Sequence, residues 1–153
     1  MDPADFISLA LMLSNSHQES ELRTAVGRAY YGAFHCAREL LGECGIRFPR
    51  SELLGADIHR KVRFCLSQAD NEDAGLVVNR LSSLREQRND ADYDLKTRRF
   101  TVQNAANVKA TVRIALEIVD ALQRCRAETA LSALRDQVRA HAHDVLRLPQ
   151  EGE

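Results

Sequence analysis

No glycine or proline stands between Thr101 and Leu148. Glycine loosens a backbone and proline removes a donor, so these residues punctuate helices. A stretch this long without either can hardly be built from short strands and turns. Its apolar residues also recur at helical spacing. Val108, Val112, Ala115, Val119 and Leu122 form one seam, and Leu131, Leu134, Val138, His141, Val145 and Leu148 form a second. The second seam steps by 3,4,3,4,3 residues, like that of a coiled coil. The two seams are out of phase, which predicts a kink, a turn or a change of packing partner over residues 125–129. One long bent helix is the alternative. Period-2 alternation is missing throughout the chain. The fold class expected is therefore all-α: an up-and-down bundle of four to five helices with a long C-terminal helix.

The remaining helices are marked by their ends. Asp2 caps a first helix with Pro3 at its first position, and its stripe is Phe6, Leu9, Ala10 and Leu13. A second opens at Ser16, where Ser16 and Glu19 have capping-box spacing, and runs to about Cys44 before Gly45. A loop holds Phe48, Pro49 and Gly55. A third helix covers about 57–69 on Ile58, Val62, Cys65 and Leu66. After a polar break at 70–73, a fourth runs from about Ala74 to Arg88 or slightly beyond, on Val77, Leu81 and Leu84. A basic connection, Lys96 to Phe100, leads to the fifth helix near Thr101.

The chain has 153 residues, which suits one domain over 1–148 with a disordered tail at 149–153. A net charge of −1 argues against a global field that would hold nucleic acid. A local patch remains open, because 18 of the 21 basic residues are arginine, the better planar phosphate ligand. Cys36, Cys44, Cys65 and Cys125 form no C-x-x-C pair and read as reduced core residues of a cytoplasmic protein. No apolar run could span a bilayer and no leader is evident, so no membrane partner is expected. His141 and His143 diverge on a helix and do not suggest metal. No Gly-rich phosphate loop or nucleophile elbow is present, and no cofactor is expected.

On the second helix, Val26, Tyr30, Ala33, Phe34, Ala37, Leu40 and Leu41 share the core side. Arg28, Tyr31, Gly32 and His35 share the opposite side. A mid-helix glycine there costs about 1 kcal/mol, and beside an aromatic and a cation it suggests close approach by another chain or a ligand. A plain solvated face is the competing reading.

On the fourth helix, Arg88 falls on the stripe of Val77, Leu81 and Leu84, where an apolar residue should follow. Around it stand Asn89, Asp90, Asp92, Tyr93 and Asp94. If the helix persists another turn, Asp92 is Arg88's i+4 partner. An exposed pair of that kind contributes only about 0.3–0.5 kcal/mol. The functional reading is a guanidinium held ready for a phosphate.

Taken together, the run from Arg28 through Tyr31 and His35 to Arg38 and the run from Arg88 to Asp94 resemble the HEPN family. These are small helical domains named for a presumed nucleotide-binding role. The first run looks like the R-A-Y-Y-x-x-F-H-x-A helix of short stand-alone members, and the second like their R-x-x-A-D-Y-D segment. His59 falls where that subgroup often carries a histidine. The resemblance covers residues 20–122. It implies a homodimer with a site where protomers face each other, and RNA or a nucleotide as ligand. It also implies metal-independent endoribonuclease activity, in a toxin–antitoxin or defence pair with a nucleotidyltransferase antitoxin. Arg88, His35, Asp92 and Tyr93 would be the catalytic residues. Arg28, Tyr31, His59 and Asn89 would bind substrate.

The sequence departs from the family pattern at one point. No histidine follows Arg88 within six residues, and Tyr93 stands in its place. With a reference pKa of about 10, tyrosine is a poor base at neutral pH. Either His35 or His59 serves the Arg88 site, or the chain only binds nucleotide, RNA or a protein. Tyr93 itself is then a core or interface aromatic, or a residue that a partner enzyme modifies.

Overall fold

The computed structural model describes residues 1–53, 55 and 57–146, the side chains of residues 52 and 143–146 excepted. Among them every regular element is helical. In order these are α1 (Pro3–Leu13), α2 (Glu19–Glu43), a single turn α3 (Arg50–Leu53), α4 (Ile58–Ser67), α5 (Glu72–Tyr93), a 3-10 turn (Val102–Asn104), α6 (Ala105–Cys125) and α7 (Glu128–Leu146). The all-α class holds. The helix count exceeds four to five because the C-terminal stretch breaks at Arg126 and Ala127, where the two seams change phase. Residues 147–153, including Leu148 and the expected tail, lie outside the described residues.

The chain forms two compact units: Met1–Cys36 with Asn79–Asp120, and Ala37–Val78 with Ala121–Glu153. Helices α2, α5 and α6 contribute residues to both.

In the first unit, α1 starts as its sequence dictates. The Asp2 carboxylate accepts from the Ala4 N–H at 2.8 Å, with Pro3 at the next position. Its buried side is Pro3, Ile7 and Ala10, so the expected stripe is rotated: Leu9 is exposed and Phe6 half-buried. The start of α2 also differs. Ser16 is not its cap, because the Ser16 hydroxyl donates to Glu21 and accepts from the Gln18 N–H, and the helix begins at Glu19. Glu19 instead pairs with Arg23. The core side of α2 is as expected, with Val26, Tyr30, Ala33 and Phe34 buried. Leu22, Ala25, Val26, Ala91, Phe100 and Val108 form one buried cluster, with Leu13 and Ala105 at its edge. Burying a side chain such as Leu22 or Phe100 contributes about 1.5–3 kcal/mol.

In the second unit, Gly45 takes φ 84°, and the Ile46 N–H returns to the Leu41 carbonyl at 2.9 Å, which closes α2 in the Schellman manner. Helix α4 buries Ile58, Val62, Cys65 and Leu66, as its spacing predicts, and packs against α7. Among the described side chains of α7 the buried ones are Leu134, Val138 and Ala142. His141 is exposed, so Ala142 and not His141 continues the seam. Ion pairs Arg124–Asp73 at 2.7 Å and Arg126–Glu43 at 2.9 Å tie the start of α5 and the end of α2 to the α6–α7 turn. None of the four cysteines forms a disulfide. Burial pushes the Cys44 thiol up to about 11 and the Cys65 thiol up to about 12.

Candidate functional site

Helix α5 runs on to Tyr93, one turn past Arg88, and a buried arginine on α2 holds its end. Arg23 Nη1 donates to the carbonyls of Ala91 and Asp94, each at 3.0 Å, and Nη2 donates to Thr97 at 3.0 Å. Its Nε donates to Glu19 at 2.8 Å. The last carbonyls of a helix lack intrahelical partners. A guanidinium is a fitting cap for them, since it offers five donors in a rigid fork. Arg23 is therefore structural, and it fixes the backbone from which Asp92 and Tyr93 project.

Arg28 and Arg88 are held differently. Both lie over the ring of Tyr31, with Arg28 Cζ 5.7 Å and Arg88 Cζ 5.3 Å from its centroid. Arg28 also lies 5.3 Å over Phe6, and Arg88 5.4 Å over Tyr93. Ring faces attract cations, by about 0.5–2 kcal/mol depending on desolvation. They do not satisfy N–H donors. The buried Nε of Arg28 has no hydrogen-bond partner among the described residues, and neither has that of Arg88. Arg88 does pair with Asp92, Nε to Oδ2 at 2.8 Å. The contact has the distance of an ion pair without the alignment of a hydrogen bond. Arg88 Nη1 donates to Asn89 Oδ1 at 3.2 Å. Burial opposes the Arg88 charge, but Tyr31, Asp92 and Tyr93 outweigh it and raise the guanidinium's pKa further above its ordinary value.

Of Asp90, Asp92 and Asp94, two face other groups. Asp90 pairs with Arg99 at 2.7 Å, and Asp94 Oδ1 accepts from the N–H groups of Lys96 and Thr97. Asp92 faces Arg88, so of these three carboxylates one lies beside the two guanidiniums on the Tyr31 ring. Tyr93 is 73% exposed, which rules out the core reading of that residue.

His35 belongs to the same cluster. Its ring stacks on Phe6 at 5.7 Å and on Tyr31 at 6.4 Å, and meets Phe34 edge-on at 5.4 Å. Beside it, Gly32 is buried under α1: a Cβ there would lie 2.5 Å from Ile7 Cγ1 and 3.2 Å from Phe6 Cβ. The close approach that Gly32 signals is thus made by the chain's own first helix.

Among the expected site residues, Arg28, Tyr31, His35, Arg88, Asn89, Asp92 and Tyr93 all stand in the first unit, joined by the contacts above. His59 lies on α4 in the second unit, half-buried, its carbonyl accepting from Arg63. Phe6 was missed as a site residue because its spacing fits a core stripe equally well. Arg23 was missed because its partners are backbone carbonyls distant in sequence, which leave no side-chain signature. Chemically the cluster offers two cations with unfilled donors, an imidazole and a phenol. Among the described residues no group of three or more His, Cys, Asp or Glu side chains could hold a metal ion, and no helix is long and apolar enough to cross a membrane.

Comparison with family models, with curated proteins and with solved structures finds no match to this chain.

Proposed function

We propose that this chain is a HEPN-type, toxin-like protein that binds RNA through its backbone phosphates and cleaves it without metal. The observation that carries the reading is the pair of guanidiniums on the Tyr31 ring, each with a buried Nε that lacks a hydrogen-bond partner. Two neighbouring guanidiniums favour an oxyanion, and arginine suits the geometry of phosphate. The ring contacts also keep both side chains ordered before the ligand arrives, which lowers the entropy lost on binding.

Cleavage on this reading is an attack by the neighbouring 2′-hydroxyl on phosphorus. His35 takes the hydroxyl proton, since an imidazole is a better general base for RNA than a phenol. The 2′-oxygen–phosphorus bond forms while Arg28 and Arg88 stabilise charge on the non-bridging oxygens. The bond to the 5′-oxygen breaks. Tyr93 gives that oxygen its proton, and the cycle closes when His35 releases its proton to solvent and Tyr93 takes one back from it. The products are a 2′,3′-cyclic phosphate and a free 5′-hydroxyl. Asn89 and Asp92 orient Arg88. A second copy of the chain would face this cluster, and a nucleotidyltransferase antitoxin is the partner that the HEPN resemblance implies.

The test is incubation of purified protein with single-stranded RNA in chelator, beside Arg88→Ala and His35→Ala. Cyclic-phosphate ends lost in both variants support the nuclease. No cleavage at micromolar protein rejects it, and fluorescence anisotropy with labelled RNA then decides whether binding alone survives. A monomer by light scattering at micromolar concentration would remove the facing copy from the reading.

A second reading, a non-catalytic interaction module, rests on exposed apolar residues of the first unit. Leu9, Leu11 and Met12 on α1 and Leu116 on α6 are exposed, and Leu11 and Leu116 share a groove with Lys109, Val112 and Arg113. Folded protein that neither binds nor cuts RNA would favour this reading.

A further inference from the structure

A separate cleft lies in the second unit. It opens beside the end of α2, enclosing about 200 Å³ between Arg38, Gly42, Ile46, Arg47, Phe48 and Leu53. Its floor is apolar: Ile46 and Phe48 are buried, and Leu53 is half-buried. Its rim is cationic. Among the described residues no hydrogen bond or ion pair engages Arg38 or Arg47, although Glu43 on the same helix turn is taken by Arg126 and accepts from Arg135 at its carbonyl.

Gly42 is the second observation. It is the last residue but one of α2, at the edge of the cleft. Among the described residues nothing requires its lack of a side chain, since a Cβ there would meet none of their atoms within 4 Å. This contrasts with Gly32, which α1 crowds, and with Gly45, whose φ is positive. The space over Gly42 is part of the cleft. A cleft left open over a glycine, with two guanidiniums unpaired among the described residues beside an apolar floor, is a ligand-shaped arrangement.

We infer that this cleft binds a small phosphomonoester with an apolar or aromatic body, the phosphate on Arg38 and Arg47 and the body over Gly42 against Ile46, Phe48 and Leu53. Two guanidiniums match a dianionic phosphate better than a single carboxylate. The apolar floor adds affinity that inorganic phosphate cannot draw on. The inference is independent of the RNA reading, because its residues and the Tyr31 cluster belong to different units.

Phenyl phosphate is the probe, titrated to millimolar concentration into isotope-labelled full-length protein and followed by amide chemical shifts. Shifts at Gly42, Ile46 and Phe48 are expected. They should be weaker by several-fold with inorganic phosphate or benzoate, and absent with phenol. Gly42→Trp should fill the cleft and abolish them while the rest of the spectrum stays folded, and Arg38→Gln with Arg47→Gln should weaken them at least tenfold. No shift in the cleft, shifts confined to residues around Tyr31, or shifts that persist in Gly42→Trp would overturn the proposal. Should Gly42→Trp fail to fold, the double arginine variant decides alone.

Discussion

Ile7 lies so near Gly32 that a single methyl group on the glycine would come within 2.5 Å of its Cγ1. The gap on α2 is therefore filled by α1, and this packing sets Phe6 against Arg28 and His35. Gly32→Ala gains about 1 kcal/mol of helix propensity. The overpacking it forces costs about 1–3 kcal/mol. A net loss is expected, read as a lower urea midpoint. Ile7→Ala combined with Gly32→Ala should cost less than the two single substitutions added together, because the double variant has no clash.

Arg23→Gln should be the most damaging polar substitution in the first unit. It strands three carbonyls and the Glu19 carboxylate. Bonds from charged donors contribute about 1.5–3 kcal/mol each and are not additive, so a loss of about 2–4 kcal/mol is expected. Arg23→Lys should rescue little, since an ammonium cannot reach all four acceptors. Urea unfolding of the two variants checks both statements. A lysine variant as stable as the parent would contradict the capping role.

Arg28→Met should leave stability unchanged or raise it slightly. The substitution removes a cation with an unpaired buried Nε that sits beside a second cation, and it keeps apolar contact with Phe6 and Tyr31. The same variant should weaken RNA binding at least tenfold and flatten its dependence on salt, because one phosphate contact is lost. A stable variant with unaltered RNA affinity would separate Arg28 from ligand binding.

The buried thiols give a pH dependence of definite sign. Cys44 and Cys65 have native pKa values of about 11 and about 12, against 9.0 for an unperturbed thiol. Below pH 9 both states hold the proton and neither group affects stability. Above it the unfolded chain loses protons that the native chain keeps, so stability falls as pH rises, from about 9 to about 11 for Cys44 and to about 12 for Cys65. Denaturant midpoints measured across this range should decline less in the Cys65→Ala background. At pH 8 neither thiol should react with a disulfide reagent until the protein unfolds.

Much of the helical layout was legible in the sequence because local chemistry fixes it. Asp2 with Pro3 starts α1, Gly45 ends α2, and Ile58, Val62, Cys65 and Leu66 set the face of α4. Misreadings arose where a residue had two plausible partners. Ser16 could cap toward Glu19, yet its hydroxyl takes Glu21 and leaves Glu19 to Arg23. His141 fits a heptad position, but α7 turns Ala142 inward. Phe6 and Leu9 are apolar enough for any stripe on a helix that is apolar nearly all round, so periodicity could not orient α1. In the site, Arg28, Tyr31 and His35 were identifiable by shared side and Arg88 by its intrusion on an apolar stripe. That the Tyr31 ring joins both arginines is a tertiary fact, with no trace in either segment alone.

The carbonyl bonds of Arg23 have a kinetic side as well. The last turn of a helix ordinarily frays on fast timescales, and groups mounted there must be ordered again at each encounter with a ligand. Tethered at Ala91, Asp94 and Thr97, the end of α5 presents Asp92 and Tyr93 from fixed backbone while both side chains remain in solvent. Whatever docks there has only their rotamers to immobilise, at about 0.5–1.5 kcal/mol each, and no turn of main chain. Association at this surface should therefore proceed without a preceding folding step.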